Sequence, residues 1–269
     1  MQTPPEQPSN HSVYLVPGLQ RGLQVLETLG AANEPMILSD IARALGMSRS
    51  SAFRLVYTLK HMNFLREGEQ KNTYTLGARV LNLGFAYLNQ QPITAIARPH
   101  LSALRDEVGV SAHLSVLEGH DVLYLSSHQA RTGYVSNLTT GTRRQAYSST
   151  IGWVLLGDMS DEEIVAFCEG IEMAPGTEFT PQNAEQLLQR VREARERGYM
   201  FSHGLTRPGG SSLAVAVRNN TGRIVACVNI SGPDSAFDFD RIESFYLPAV
   251  QAAALRISEE LGYTGARRP

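Results

Sequence analysis

Cysteine is scarce in this chain of 269 residues: only Cys168 and Cys227 occur, far apart. Neither stands in a metal-ligand spacing. They read as buried free thiols of a reducing compartment, not as a disulfide staple. Long apolar runs are also missing. Nothing approaches the roughly 20 residues that span a bilayer, which excludes a membrane helix of that kind. The opening stretch, MQTPPEQPSNHSVYLVPG, lacks the basic start and apolar stretch of a secretory signal. Its Pro, Gln, Ser and Asn content predicts a disordered tail over 1–15. Together these absences predict a cytoplasmic protein with no membrane partner. An excess of one charge is absent as well, with 24 Lys and Arg against 26 Asp and Glu. Any contact with nucleic acid must then rest on a local basic patch.

Catalytic signatures are absent too. His113, His120, His128 and His203 form no H-x-x-x-H or H-E-x-x-H pattern, so no metal is expected. His113, inside a strand-like run, reads as a structural histidine. No G-x-S-x-G elbow, phosphate loop or dinucleotide fingerprint is present. The glycine loops TTGTRR and RPGGSS lack the context such motifs need, and Cys227 has no base beside it. No catalytic residue, metal or cofactor is assigned. A sensor of small molecules needs none, only a concave cavity with a few polar groups.

What is present begins at Leu45–Leu65, LGMSRSSAFRLVYTLKHMNFL. Ala52, Leu55, Val56, Leu59 and Met62 follow helical spacing and form one apolar stripe. Ser50, Phe53, Arg54 and Tyr57 fall on the opposite face. Ser48 suits the N-cap. Upstream, SDIARALG reads as a shorter helix capped by Ser39, with Gly46 left-handed after its end. Two helices joined by a short turn make a helix-turn-helix. An earlier helix carries Leu19, Leu23, Leu26 and Leu29 on one face. After the pair, Phe64–Arg66 and Thr73–Leu76 read as strands flanking a polar tip, a β-hairpin wing. The outward helix face is free to enter a DNA major groove. Arg49 and Arg54 can reach bases or phosphates, Ser50 and Ser51 can donate to phosphate, and Phe53 can meet a thymine methyl group. Tyr57, wing residue Lys71 and the helix-start serines Ser39 and Ser48 complete the DNA-contact candidates.

Further along, Gly77–Gln91 reads as an apolar linker helix stopped by Pro92, suited to pairing with another subunit. A helix with Leu101, Leu104 and Val108 on one side follows. SAHLSVLEGHDVLYLSS predicts two strands around the turn Glu118–Asp121, and Tyr134–Thr140 a third. Ser160 and Glu163 predict a capping box. Thr180–Pro181 predicts the start of a long helix ending at Gly198. SSLAVAVRNNTGRIVACVNIS predicts a hairpin turning at Asn219–Gly222. Asp240 is expected to cap a last helix kinked at Pro248.

The stretches LQRGLQVLETL, LSDIARALGMSRSSAFRLVYTL, YTLGARVLNLG, AHLSVLEGHDVLYL, RERGYMFS and GRIVACVNISGP resemble, in this order, the IclR family of bacterial transcriptional regulators. The resemblance runs from about Val16 to Gly262. It implies an α+β chain with a winged helix-turn-helix domain (16–77), a linker helix (78–92) and a GAF-like α/β effector-binding domain (93–265). It also implies operator DNA and a small-molecule effector as partners, and homodimers or dimers of dimers. The effector pocket of such proteins draws on three segments. Here QAYSSTIGWV supplies Tyr147 and the helix start Ser149, Thr150, Ile151 and Gly152. GYMFSHG supplies Ser202. The strand pair supplies Ser212, Asn229 and Ser231. Tyr147 stands where the family has histidine and Trp153 where lysine or arginine is common. No relative's particular ligand, such as glyoxylate, therefore carries over. Tyr147 and Trp153 either pack in the core or suit an aromatic or longer acid. Arg144 stands where family members are commonly apolar. It either turns to solvent or forks to a ligand carboxylate. The implied function is a transcription factor controlled by an organic acid. The rival reading is a GAF-like ligand-binding or enzymatic protein whose winged domain serves dimer contacts alone. Salt-dependent DNA binding separates the two.

Overall fold

A computed structural model describes residues 14–32, 34–131, 138–174 and 176–265. The chain divides into two compact units, Met1–Gln90 and Gln91–Pro269.

In the first unit, α1 (Pro17–Ala31), α2 (Leu38–Ala44) and α3 (Arg49–His61) surround one small core. Val25, Leu29, Ile41, Val56 and Leu65 are its buried centre. Strands β1 (Met36–Ile37), β2 (Leu65–Glu67) and β3 (Thr73–Leu76) form an antiparallel sheet in the order β1-β3-β2. The wing is thus three-stranded, because the short β1 pairs with β3. That pairing keeps Ile37 extended up to the first turn of α2, so Ile37, not Ser39, is the N-cap. Ser39 sits inside the helix and caps nothing. Ser48 caps α3 by accepting a hydrogen bond from the Ser51 amide at 3.2 Å. Gly46, at φ +57°, takes the left-handed turn between the two helices. The stripe on α3 buries Ala52 and Val56 and half-buries Leu55 and Leu59. Met62 lies past the helix end and is exposed. On α1 the buried pair is Val25 and Leu29, one turn apart, whereas Leu19 and Leu23 face solvent. Helix α4 (Arg79–Asn89) closes the unit and buries none of its residues.

In the second unit, Pro92 opens α5 (Pro92–Val108) at its first position, where a missing N–H costs nothing. Gly109 ends it at φ +74°. Six antiparallel strands follow the order β6-β5-β4-β9-β8-β7. They are β4 (Ser111–Glu118), β5 (Asp121–His128), β6 (Arg143–Gln145), β7 (Tyr199–His203), β8 (Gly210–Arg218) and β9 (Ile224–Pro233). Helices α5 and α9 (Leu247–Glu260) pack on one face, and α6 (Thr150–Leu155) and α8 (Ala184–Arg197) on the other. Between α6 and α8 lies α7 (Asp161–Phe167), opened by the Ser160–Glu163 capping box. The expected third strand overlaps 132–137, outside the described residues. Among the described residues the next strand after β5 is Arg143–Gln145, which pairs antiparallel with β5. Helix α8 starts after Asn183, whose Oδ1 accepts from the Gln186 amide at 2.9 Å. Thr180 is not the cap: its hydroxyl closes a local turn by accepting from the Thr177 amide. Asp238, not Asp240, caps the approach to α9, which opens through a π-helical stretch, Ile242–Tyr246. Pro248 falls in the first turn of α9, so it needs no kink. Among the described residues no helix is long and apolar enough to cross a membrane.

Candidate functional site

The first candidate surface is the outward face of α3. Ala52 and Val56 bury the opposite face, so helical geometry turns Arg49, Ser50, Phe53, Arg54 and Tyr57 to solvent, and all five are exposed. The Phe53 and Tyr57 rings lie 6.1 Å apart. Arg49 and Arg54 have no carboxylate partner among the described residues. Lys60, by contrast, is tied to Glu67 of the wing. Lys71 at the wing tip is exposed. Ser39 and Ser51 are half-buried, and Ser48 spends its hydroxyl on the cap and on Ser51.

The second is a cavity of about 520 Å³ in the second unit, between the open face of the sheet and the start of α6. The strand register aims its charges. Arg144 pairs with Val122 of β5, so it shares the sheet face that carries the buried Val122 and Tyr124. Its neighbour Arg143 points the other way, to Asp121 and Glu118. Arg144 therefore reaches the cavity without a carboxylate partner among the described residues. Arg207 and Thr206 approach from the loop before β8.

The floor is rich in hydroxyls. Ser149, Thr150, Ile151, Ser202, Ser212 and Ser231 line it as expected from the sequence, and Arg144, whose direction the sequence left open, lines it too. The Thr150 and Ser202 hydroxyls hydrogen-bond each other. The Ser149 hydroxyl caps α6 by accepting from the Gly152 amide at 2.9 Å. Behind the floor, His113 is fully buried, with Nδ1 2.9 Å from Ser127 Oγ and Nε2 3.1 Å from Ser231 Oγ. Burial, helped by the neighbouring His128, pushes its pKa down to about 3, so it is neutral. Burial raises the Tyr124 phenol, against the opposing pull of the Arg144 charge.

Three expected residues do not line the cavity. Tyr147 is buried in the hydrophobic core, with its hydroxyl on the Ala174 carbonyl. Trp153 joins it there and donates from Nε1 to the Tyr147 carbonyl at 2.7 Å. Both side chains pack in the core. Gly152 lies against the Ala146 backbone, so close that a Cβ would meet the Ala146 carbonyl oxygen at 2.0 Å. Asn229 is fully buried one layer below Ser212, to which its Nδ2 donates at 3.5 Å, and its Oδ1 has no partner among the described residues. Sequence reasoning missed Tyr124, Ser211 and Arg207 on the wall. The signal for Arg207 was its place beside the two glycines of RPGGSS, a loop that only the fold brings opposite Arg144. Among the described residues no cluster of His, Cys, Asp and Glu could hold a metal.

The geometry agrees with comparisons to known proteins. Residues 85–259 match the family model of the bacterial transcriptional regulator IclR C-terminal domain. Residues 18–69 match the IclR helix-turn-helix domain. The HTH-type transcriptional regulator XynR of Escherichia coli K12 is 25% identical over 249 residues, covering 93% of this chain and 98% of that protein. The Pca regulon regulatory protein of Pseudomonas putida is 26% identical over 244 residues, covering 90% and 83%. A crystal structure of a transcriptional regulator from Rhodococcus sp. RHA1 is 30% identical, covers 92% of this chain and 98% of its own, and superimposes with a TM-score of 0.80. An IclR homolog from Microbacterium hydrocarbonoxydans, complexed with 4-hydroxybenzoate, has a TM-score of 0.77 at 22% identity, covering 91% and 98%. Both matched domains belong to regulators, which sets the enzymatic reading aside. The chain belongs to the IclR family and is a bacterial-type transcriptional regulator with a DNA-binding and an effector-binding domain.

Proposed function

We propose that the α3 face reads operator DNA and that the cavity binds a small organic acid whose carboxylate Arg144 grips. The observation that carries the second half is Arg144 itself: a guanidinium on the cavity wall with no carboxylate partner among the described residues. An Arg–carboxylate fork is short, directional and charge-assisted. The hydroxyl floor suits the remaining polar atoms of such a ligand. The 4-hydroxybenzoate held by the Microbacterium homolog favours an aromatic acid. The effector changes promoter occupancy through unequal affinity for two states of the protein. The exposed Leu81, Leu83, Phe85 and Tyr87 of α4 support a homodimer, or a dimer of dimers, joined through this linker.

Calorimetry with 4-hydroxybenzoate, benzoate and succinate tests the ligand class, and fluorescence anisotropy with DNA flanking the protein's own gene tests the regulator. Arg144→Ala is expected to abolish acid binding and leave ligand-free DNA binding intact. Arg49→Ala and Arg54→Ala should each weaken DNA binding, by about 1–3 kcal/mol where the arginine contacts a guanine edge. Full acid affinity in Arg144→Ala would leave Arg144 a surface residue. Unchanged DNA binding in both α3 variants would remove the assignment of that face.

A further inference from the structure

The cavity floor ends in a hydrogen-bond chain whose direction is set at its far end. A β-bulge in β5, opposite Leu114–Ser115, shifts the alternation, so that Ser127, not Ser126, stands opposite His113. Ser127 Oγ lies 2.5 Å from the Leu138 carbonyl oxygen and accepts from Gln129 Nε2 at 3.0 Å. Two oxygens that close share a proton, and a carbonyl has none to give. The single Ser127 proton is therefore committed to Leu138. At the 2.9 Å contact between Ser127 Oγ and His113, the imidazole must then donate from Nδ1. A neutral imidazole that donates from Nδ1 has a bare Nε2. That nitrogen accepts from Ser231 Oγ, 3.1 Å away. The Ser231 proton points out of the cavity, and only its lone pairs face in.

We propose that His113 is a positioning residue for effector choice: by taking the Ser231 proton it makes Ser231 an acceptor only, so the cavity selects a carboxylic acid that carries its own hydroxyl donor. The proposal rests on the reading of this cavity as the effector site. Ser211 on the same wall has the same polarity, since its Oγ donates to Asp234 Oδ1 at 2.7 Å. Ser149 and Ser212 have the opposite one. They accept from the Gly152 amide and from Asn229, and keep their protons for the ligand. A ligand that places an ether or halogen at Ser231 sets lone pairs against lone pairs and strands a desolvated acceptor, the costly arrangement.

The relay is tested without ligand on the full-length protein labelled with 15N-histidine. Solid-state NMR at about pH 6 should report His113 as neutral, protonated at Nδ1 and bare at Nε2, with the signal assigned by its loss in His113→Gln. Ser127→Ala removes the anchor and should move that signal toward a mixture of tautomers; it also assigns the signal if His113→Gln fails to fold. An Nε2-protonated or doubly protonated His113 overturns the proposal. Calorimetry then compares 4-hydroxybenzoate with 4-fluorobenzoate, which keeps ring and carboxylate but cannot donate. The hydroxy acid should bind tighter by roughly 10- to 100-fold, the effect of leaving one buried acceptor at Ser231 unpaired. Ser231→Ala, which leaves His113 in place, should erase most of that gap. Equal affinities in the wild type would overturn the selection even with the expected tautomer. If neither acid binds, the aromatic-acid reading of the cavity fails, and the histidine spectrum still decides the relay.

Discussion

At the scale of single residues, the cavity depends on groups that never touch its contents. Gly152 lets α6 lie directly on the Ala146 backbone, and a methyl group there would meet a carbonyl oxygen at 2.0 Å. Backbone on both sides leaves no flexible side chain to yield. Gly152→Ala should therefore destabilise the second unit by about 1–3 kcal/mol, the cost of overpacking, read as a lower urea midpoint. His113 gives a pH dependence of known sign. Its ordinary pKa is 6.5 and its folded value is about 3, held down first by burial and then by His128. Below 6.5 the unfolded chain binds a proton that the folded chain refuses, so stability falls as the pH drops from 6.5 toward 3. The limiting slope is about 1.4 kcal/mol per pH unit. Urea titrations should show the slope steepening below about pH 7 and nearing this limit by about pH 5, and His113→Gln should reduce it. At this scale residue type and family position singled out Arg144 and the serines, and left open which way Arg144 turns. It misplaced Tyr147 and Asn229, because a hydroxyl or amide looks alike in sequence whether it faces a cavity or lies beneath one.

At the scale of elements, caps satisfied within four residues were legible at Ser48 and Ser160 but missed at Asn183 and Asp238. Ser48 accepts from the Ser51 amide, and Ser160 and Glu163 satisfy each other's ends. Gly109 and Gly198 end α5 and α8 in the left-handed region. Ser39 is the instructive failure. It has the right residue type in the right place, but β1 pairing starts α2 one residue earlier. The two serines should thus respond differently. Ser48→Ala should cost about 1 kcal/mol as a lost N-cap, whereas Ser39→Ala should change the stability of the winged unit by less than about 0.5 kcal/mol. Chemical denaturation followed by circular dichroism separates them. Loss of equal size in both would mean that Ser39 has a partner beyond its own helix.

At the scale of the whole molecule, exposed apolar side chains cluster on two elements of the first unit. They are Tyr14, Leu15, Val16, Leu19 and Leu23 at and before the start of α1, and Leu81, Leu83, Phe85 and Tyr87 on α4. A chain that left both faces in water would expose apolar patches of the kind that mark interaction sites. A helix-turn-helix regulator also needs paired reading helices to match paired half-sites. The protein is expected to be at least a dimer at micromolar concentration. Replacing Leu83 and Phe85 by serine should shift it toward monomer in light scattering and weaken DNA binding. A wild-type monomer that still binds its operator tightly would contradict this.

The sequence by itself determined the two-part plan, the helix-turn-helix with its outward Arg49 and Arg54, the Ser48 and Ser160 caps and the Asn219–Gly222 hairpin. Each is written in contacts between residues a few positions apart or in one repeating period. Tertiary structure alone decided that Arg143–Gln145 pairs with β5, which way Arg144 turns, and that Tyr147 and Trp153 belong to the core. It also decided that Ser127, not Ser126, meets His113. These follow from pairings such as Val122 with Arg144 and His113 with Asn229. The partners are far apart in the chain, and a one-residue change of register sends every side chain of a strand to the other face.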